Sequence, residues 1–147
     1  MLRFDSVYLD EDIKRTRLQP GFANKLYKML AARTEEQNIS HKSMPTYEDH
    51  IEYIYSRPYK YWFLIWSDDD EEYIGNCYIS NDNEIGIFIL SDFQGYGRGQ
   101  EALKYLLNRE GPSSGPYFAN VNPANARSIS FFTAAGFKHI QNTYKLD

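Results

Sequence analysis

The stretch Gln94-Gly95-Tyr96-Gly97-Arg98-Gly99 constrains the fold more than any other part of the chain. An apolar run, Ile85 to Leu90, precedes it, and an amphipathic run, Gln100 to Arg109, follows. This pattern predicts a strand feeding a glycine-rich turn that opens a helix. Glycine lacks a Cβ, so backbone N–H groups in such a turn can approach a ligand closely. The helix start adds unsatisfied donors and the positive end of the helix dipole. Together they form a site for a phosphate or pyrophosphate. The alternative is a tight turn with no ligand.

Composition narrows the partners. The chain has 147 residues, the size of one domain with a single core, and 42% hydrophobic and 16% aromatic residues with which to fill it. A net charge of −4 lacks the basic footprint that nucleic acid demands. No apolar run approaches the length of a membrane span, and Met1-Leu2-Arg3-Phe4-Asp5 does not have the form of a signal peptide. Cys77 is the single cysteine, so no internal disulfide forms and a cytoplasmic setting is expected. Its apolar surroundings make it a core residue rather than a reactive thiol.

The predicted elements are an edge strand from Leu2 to Leu9, an acidic helix start at Asp10-Glu11-Asp12, and a helix after Pro20-Gly21 with Phe22, Leu26, Met29 and Leu30 at helical spacing. Pro45 to Ser56 reads as a second helix, with Thr46 as N-cap and Ile51, Ile54 and Tyr55 on its apolar face. Tyr59 to Trp66, Tyr73 to Ser80 and Glu84 to Leu90 read as meander strands, separated by turns at Ser67 to Glu72 and Asn81-Asp82-Asn83. The acidic turn is a solvated hairpin tip, and no metal site is expected. After the glycine loop and its helix, Tyr117 to Val121 reads as a short strand. Asn125 to Ala135 reads as a helix stopped by Gly136, with Phe137 packing back on it, and Phe137 to Leu146 as extended chain. The order is α+β: one domain over 1–147, with a mainly antiparallel sheet between helices in α/β/α layers.

Three phosphate ligands compete for the loop. Gly97-x-Gly99-x-x-Ala102 fits a dinucleotide fingerprint, but that needs an acidic residue about 20 positions on, and the next strand ends in Asn120-Val121-Asn122. A P-loop needs Gly-Lys-Ser/Thr, and no lysine follows these glycines. The third comes from a second constellation, Asn125-Ala126-Arg127-Ser128 running into Gly136-Phe137. With the glycine loop, it resembles the GNAT superfamily of N-acetyltransferases. That family's acetyl-CoA loop has the form Gln/Arg-x-x-Gly-x-Gly/Ala, which Gln94 to Gly99 match. Its later helix has the form Asn-x-x-Ser/Ala and then Gly-Phe, which Asn125, Ser128, Gly136 and Phe137 match.

The resemblance implies a V-shaped splay between the strands before and after the loop helix. Acetyl-CoA is then the co-substrate, with its pantetheine arm along Ile87, Phe88 and Ile89 and its pyrophosphate on the N–H groups of Gly95, Tyr96, Gly97, Arg98, Gly99 and Gln100. Asn125, with Ser128, meets the pantetheine region, and the Arg98 side chain is either a phosphate partner or an exposed loop arginine. A neutral amine attacks the thioester, a backbone N–H, that of Ile89, stabilises the oxyanion, and the thiolate leaves. No metal takes part.

The chain departs from the family at two positions. Many members carry a tyrosine acid where this chain has Phe132, and some a glutamate base where it has Asn120. A thiol of pKa about 8.5 leaves without a dedicated acid, but a lysine-like amine is neutral in only about one molecule in 10³ to 10⁴ at pH 7. Glu84 is the candidate base, and Tyr144 is a further hydroxyl. Arg33 and His50 are candidate acceptor contacts, on a loose likeness to a subgroup that acetylates nucleotide-linked amino sugars. Tyr59, Tyr61, Trp62 and Trp66 divide between core and cleft. The expected activity is acetyl transfer to a primary amine of a small molecule. A non-catalytic acyl-CoA sensing module, a protein or peptide N-acetyltransferase and a nucleotide-binding module are the alternatives, and homodimerisation is open.

Overall fold

Strand β2, Tyr59–Ser67, carries apolar side chains on both faces, and the layers follow from covering them. The computed structural model describes residues 1–10, 16–38, 43–111 and 115–147. Within these, β1 (Leu2–Ser6), β2, β3 (Glu72–Ser80) and β4 (Ile85–Ile89) form one antiparallel sheet in the order β1-β2-β3-β4. Phe63, Ile65, Cys77, Ile79, Ile85 and Ile89 face one way, against Ala102, Leu103 and Leu106 of helix α3, Arg98–Glu110. Trp62, Leu64 and Phe88 face the other way, against Phe22, Leu26 and Met29 of α1 (Phe22–Ala31) and Ile54 of α2 (Tyr47–Tyr55). Helix α4, Ala126–Ala134, adds Phe131 and Phe132 to the rim of the α3-side core. The fold is the expected α+β arrangement, an open antiparallel sheet between helices.

Local chemistry sets most boundaries. Thr46 Oγ1 accepts from the Asp49 N–H at 3.1 Å and caps α2. Gly136, at φ 98°, ends α4, and the Phe137 N–H reaches the Phe132 carbonyl at 2.9 Å, which turns the Phe137 ring to within 5.1 Å of Phe132. The β2–β3 pairing shifts register between Ile65 and Trp66. Ile74 is the unpaired residue there, and it joins the α3-side core with Cys77 and Ile79.

Several expectations need correction. The buried row of α2 is His50 and Ile54, spaced one turn apart, while Tyr55 is 49% exposed. The predicted strand from Tyr117 to Val121 is a single parallel bridge between Phe118 and Glu84. Phe137 to Leu146 forms no strand, and Ile140, Tyr144 and Leu146 are exposed. Glu11 and Asp12 of the expected acidic helix start lie outside the described residues; Asp10 pairs with Arg17 at 2.7 Å.

Candidate functional site

Strand β4 has two unlike edges. In an antiparallel ladder, opposed residues alternate between pairs that exchange backbone hydrogen bonds and pairs that do not. The Leu90 N–H donates to the Ile74 carbonyl at 2.8 Å, and the Ser80 N–H to the Glu84 carbonyl at 2.9 Å, so the even-numbered residues bond to β3. The backbone groups of Ile85, Ile87 and Ile89 therefore point to the open side. There the Ile85 N–H meets the Phe118 carbonyl at 2.7 Å, and the Ile89 carbonyl accepts from Gln94 Nε2 at 3.0 Å. Among the described residues, the Ile87 N–H and carbonyl and the Ile89 N–H have no partner. The bridge at Phe118 holds one end of this gap together; beyond it the chain parts from β4. A cleft of about 260 Å³ opens here, lined by β4, the glycine loop and the start of α4.

The loop presents donors to the cleft. Gly95, Tyr96 and Gly97 take φ values of 96°, 57° and 71° in succession, a run of positive φ that leads into α3. The Arg98 N–H bonds the Gly95 carbonyl at 3.3 Å and that of Glu101 the Gly97 carbonyl at 3.1 Å. The N–H groups of Gly95, Tyr96, Gly97, Gly99 and Gln100 meet no backbone acceptor among the described residues. Unpaired donors grouped at a helix N-terminus are suited to an anion. A Cβ on Gly99 would sit 3.2 Å from the Phe131 ring, so this glycine also sets the approach of α4 to α3.

Of the expected donor-site side chains, Gln94, Asn125 and Ser128 line the cleft. Asn125 Oδ1 accepts from the Ser128 N–H at 3.1 Å and caps α4, so what it offers a ligand is its amide NH₂. Tyr96 is 89% exposed and is not among the residues that line the cleft. Arg98 is neither an exposed loop arginine nor aimed at the anion site. Its guanidinium turns under the loop to Asp70 at 2.5 Å and the Phe93 carbonyl at 3.1 Å. It anchors the loop to the β2–β3 hairpin.

The other end of the cleft is built by Arg33, Gln37, Tyr78, Gly86 and Phe88, with Asn120 to Asn122 across from them. Tyr78 lies over Gly86, its partner on β4; a Cβ there would fall 2.1 Å from the ring. The Tyr78 ring stacks on Tyr59 at 3.7 Å, and the Tyr53 hydroxyl donates to that of Tyr59 at 2.8 Å. Burial, with the Glu84 charge adding to it, pushes the Tyr78 phenol up, so it is a neutral donor at physiological pH. Arg33 stands 5.4 Å over the Phe88 ring. Asn122 Nδ2 donates to the carbonyls of Glu35 and Asn38, at 3.2 and 2.8 Å, and ties the two walls together.

The remaining candidates divide. Glu84 opens β4 beside the cleft and its charge reaches Tyr78. His50 stands outside the cleft, 6% exposed, between Tyr27 and Tyr53, and burial pushes its pKa down. Tyr144 is 89% exposed and is not part of the lining. Cys77 is fully buried and its thiol is pushed up by burial, so it is no nucleophile. Tyr78, Gln37, Asn122 and Arg127 also line the site but were not singled out in the sequence. Only Tyr78 had a signal: Gly86 breaks an apolar strand, and counting back through the turn at Asn81 to Asn83 sets Tyr78 opposite it.

Comparison with known proteins fits this geometry. A family model described as the acetyltransferase (GNAT) family matches residues 21–137. The chain belongs to the GNAT acetyltransferase family. No curated protein is significantly similar to it in sequence. Its fold is shared by an acetyltransferase from Thermus thermophilus, 20% identical over 97% of this chain and 90% of that one, with a TM-score of 0.69. A ribosomal-protein-alanine N-acetyltransferase from Brucella melitensis is 15% identical over 96% and 86%, with a TM-score of 0.66. Glucosamine-6-phosphate N-acetyltransferase from Arabidopsis thaliana is 16% identical over 100% and 99%, with a TM-score of 0.55. GNAT acetyltransferases use acetyl-CoA as acyl donor, and the open β4 edge and the unpaired loop N–H groups of this chain are compatible with it. Among the described residues no cluster of His, Cys, Asp or Glu could hold a metal ion, and no helix is long and apolar enough to cross a membrane.

Proposed function

We propose that this GNAT protein transfers an acetyl group from acetyl-CoA to a primary amine of a small molecule. The observation that carries the donor half is the run of backbone groups without a backbone partner among the described residues, from Ile87 and the Ile89 N–H on β4 to the N–H groups of Gly95, Tyr96, Gly97, Gly99 and Gln100. Acetyl-CoA supplies an activated acyl group. The loop donors hold its pyrophosphate, and the β4 groups pair with the amides of its pantetheine arm as an added strand would. Strand β4 runs toward the loop, so Ile87 lies about 7 Å further from the phosphate cradle than Ile89. The Ile87 N–H is thus the better oxyanion donor, with the Ile89 N–H serving the arm.

The acceptor half rests on the contact between the cleft walls at Asn122. Asn122 pins the Glu35 to Asn38 segment across the opening, which leaves a pocket suited to a small amine rather than a groove for a peptide. Related folds include acetyltransferases of both kinds, one named for a ribosomal-protein alanine and one for glucosamine 6-phosphate. Glu84 takes the amine proton, directly or through water, and Tyr78 donates a hydrogen bond beside it. Phe132 lines the cleft without a hydroxyl, so the thiolate leaves unassisted by a phenol at that position.

The test is incubation with acetyl-CoA and a panel of small amines, reading free thiol. Turnover is expected, with Glu84→Gln lowering kcat by about 10²- to 10⁴-fold. The competing reading, a non-catalytic acyl-CoA sensor, draws on Phe132 and Asn120. Tight CoA binding without thiol release for any amine would establish the sensor and overturn the enzyme.

A further inference from the structure

The chain carries 20 acidic residues against 16 basic ones, so carboxylates are not scarce. Arg3, Arg17, Lys60 and Arg98 each pair with one. Arg33 does not. It is half-buried at the acceptor end of the cleft, and among the described residues its contact is the face of Phe88 rather than an anion. A guanidinium cannot shed its proton, and a partly desolvated charge without a counter-ion costs stability. The bonds of Asn122 to Glu35 and Asn38 fix the segment just beyond Arg33. Arg33 and Tyr78 both line this end of the cleft, and the charges of Arg33 and, from outside the lining, Glu84 both reach the Tyr78 phenol.

We propose that this end of the cleft binds a primary amine that also carries an anionic group, a carboxylate or a phosphate, seated on Arg33. The inference rests on the acetyltransferase reading and narrows its acceptor. The planar guanidinium fork suits either anion through paired hydrogen bonds. With the anion there, the amine lies toward Glu84 and the open edge of β4.

Matched pairs test it: glycine against glycinamide, and O-phosphoethanolamine against ethanolamine. The expected result is a kcat/KM roughly 10- to 100-fold higher for the anionic member of at least one pair, carried by KM, as charge-assisted hydrogen bonds allow. The pair that responds distinguishes carboxylate from phosphate. Arg33→Gln erases the preference and Arg33→Lys restores part of it, while the KM for acetyl-CoA reports that the donor half is intact. Equal use of both members in both pairs, or a preference that survives Arg33→Gln, overturns the proposal. If acetyl-CoA binds and no amine is turned over, the acetyl-transfer reading fails. Calorimetry of the same pairs on CoA-loaded protein then decides the subsite alone: tighter binding of an anionic amine that Arg33→Gln weakens supports it, and equal or absent binding overturns it.

Discussion

The backbone groups of Ile87 face away from β3 whereas those of its neighbours Gly86 and Phe88 face it, and that difference can be tested. Proline removes one N–H and is tolerated where that group is not in a ladder. Ile87→Pro should leave the fold intact and lower kcat by about 10²- to 10³-fold, the usual effect of losing an oxyanion donor. Phe88→Pro, which removes a bond to β3, should instead lower the denaturation midpoint sharply. Steady-state kinetics and urea titration separate the two. The parity itself was not readable from the chain, because it depends on where the turn at Asn81 to Asn83 sets the register. The Arg98 side chain was also misjudged: its partner, Asp70, sits in a hairpin tip whose acidic run suggested only solvent.

Between elements, two contacts govern the site. The Arg98–Asp70 pair joins the glycine loop to the β2–β3 hairpin, with side-chain exposures of 11% and 29%. This lies between a surface and a buried pair, so Asp70→Asn should cost about 1 to 3 kcal/mol in chemical denaturation. It should also raise the Kd for acetyl-CoA, since the loop loses its anchor. The second is the close approach of β3 to β4 at Gly75, where a Cβ would lie 2.1 Å from the Phe88 carbonyl oxygen. Gly75→Ala should therefore destabilise the protein by about 3 kcal/mol, measured as a shift in denaturation midpoint. Helices α3 and α4 and the hairpin strands were legible because periodicity, caps and turn residues agree there. The strand expected at Tyr117 to Val121 was not. Its residues have strand character, but a strand exists only with a partner edge, and here the partner edge is left open for the cleft.

At the scale of the molecule, His50 links the packing of α1 on α2 to pH. It is buried, Nε2 has no partner among the described residues, and its folded pKa is lowered. Below the ordinary histidine pKa of about 6.5 the unfolded chain binds a proton that the native state refuses, so stability falls as pH drops through that value. Thermal melts between pH 7 and 5 should show this loss, and His50→Phe should flatten it. Asp5, held below its usual range by Arg3, stabilises the fold at neutral pH and loses that contribution only at more acid pH, as the unfolded chain takes up a proton first. The open edge of β4 has a consequence for solubility as well. A bare strand edge invites other chains to pair with it and aggregate. Here Phe118 covers one end and the Gln94 amide the other, so the exposed stretch is too short to anchor an invading strand. The gap proposed for the pantetheine amides is thereby closed to another polypeptide.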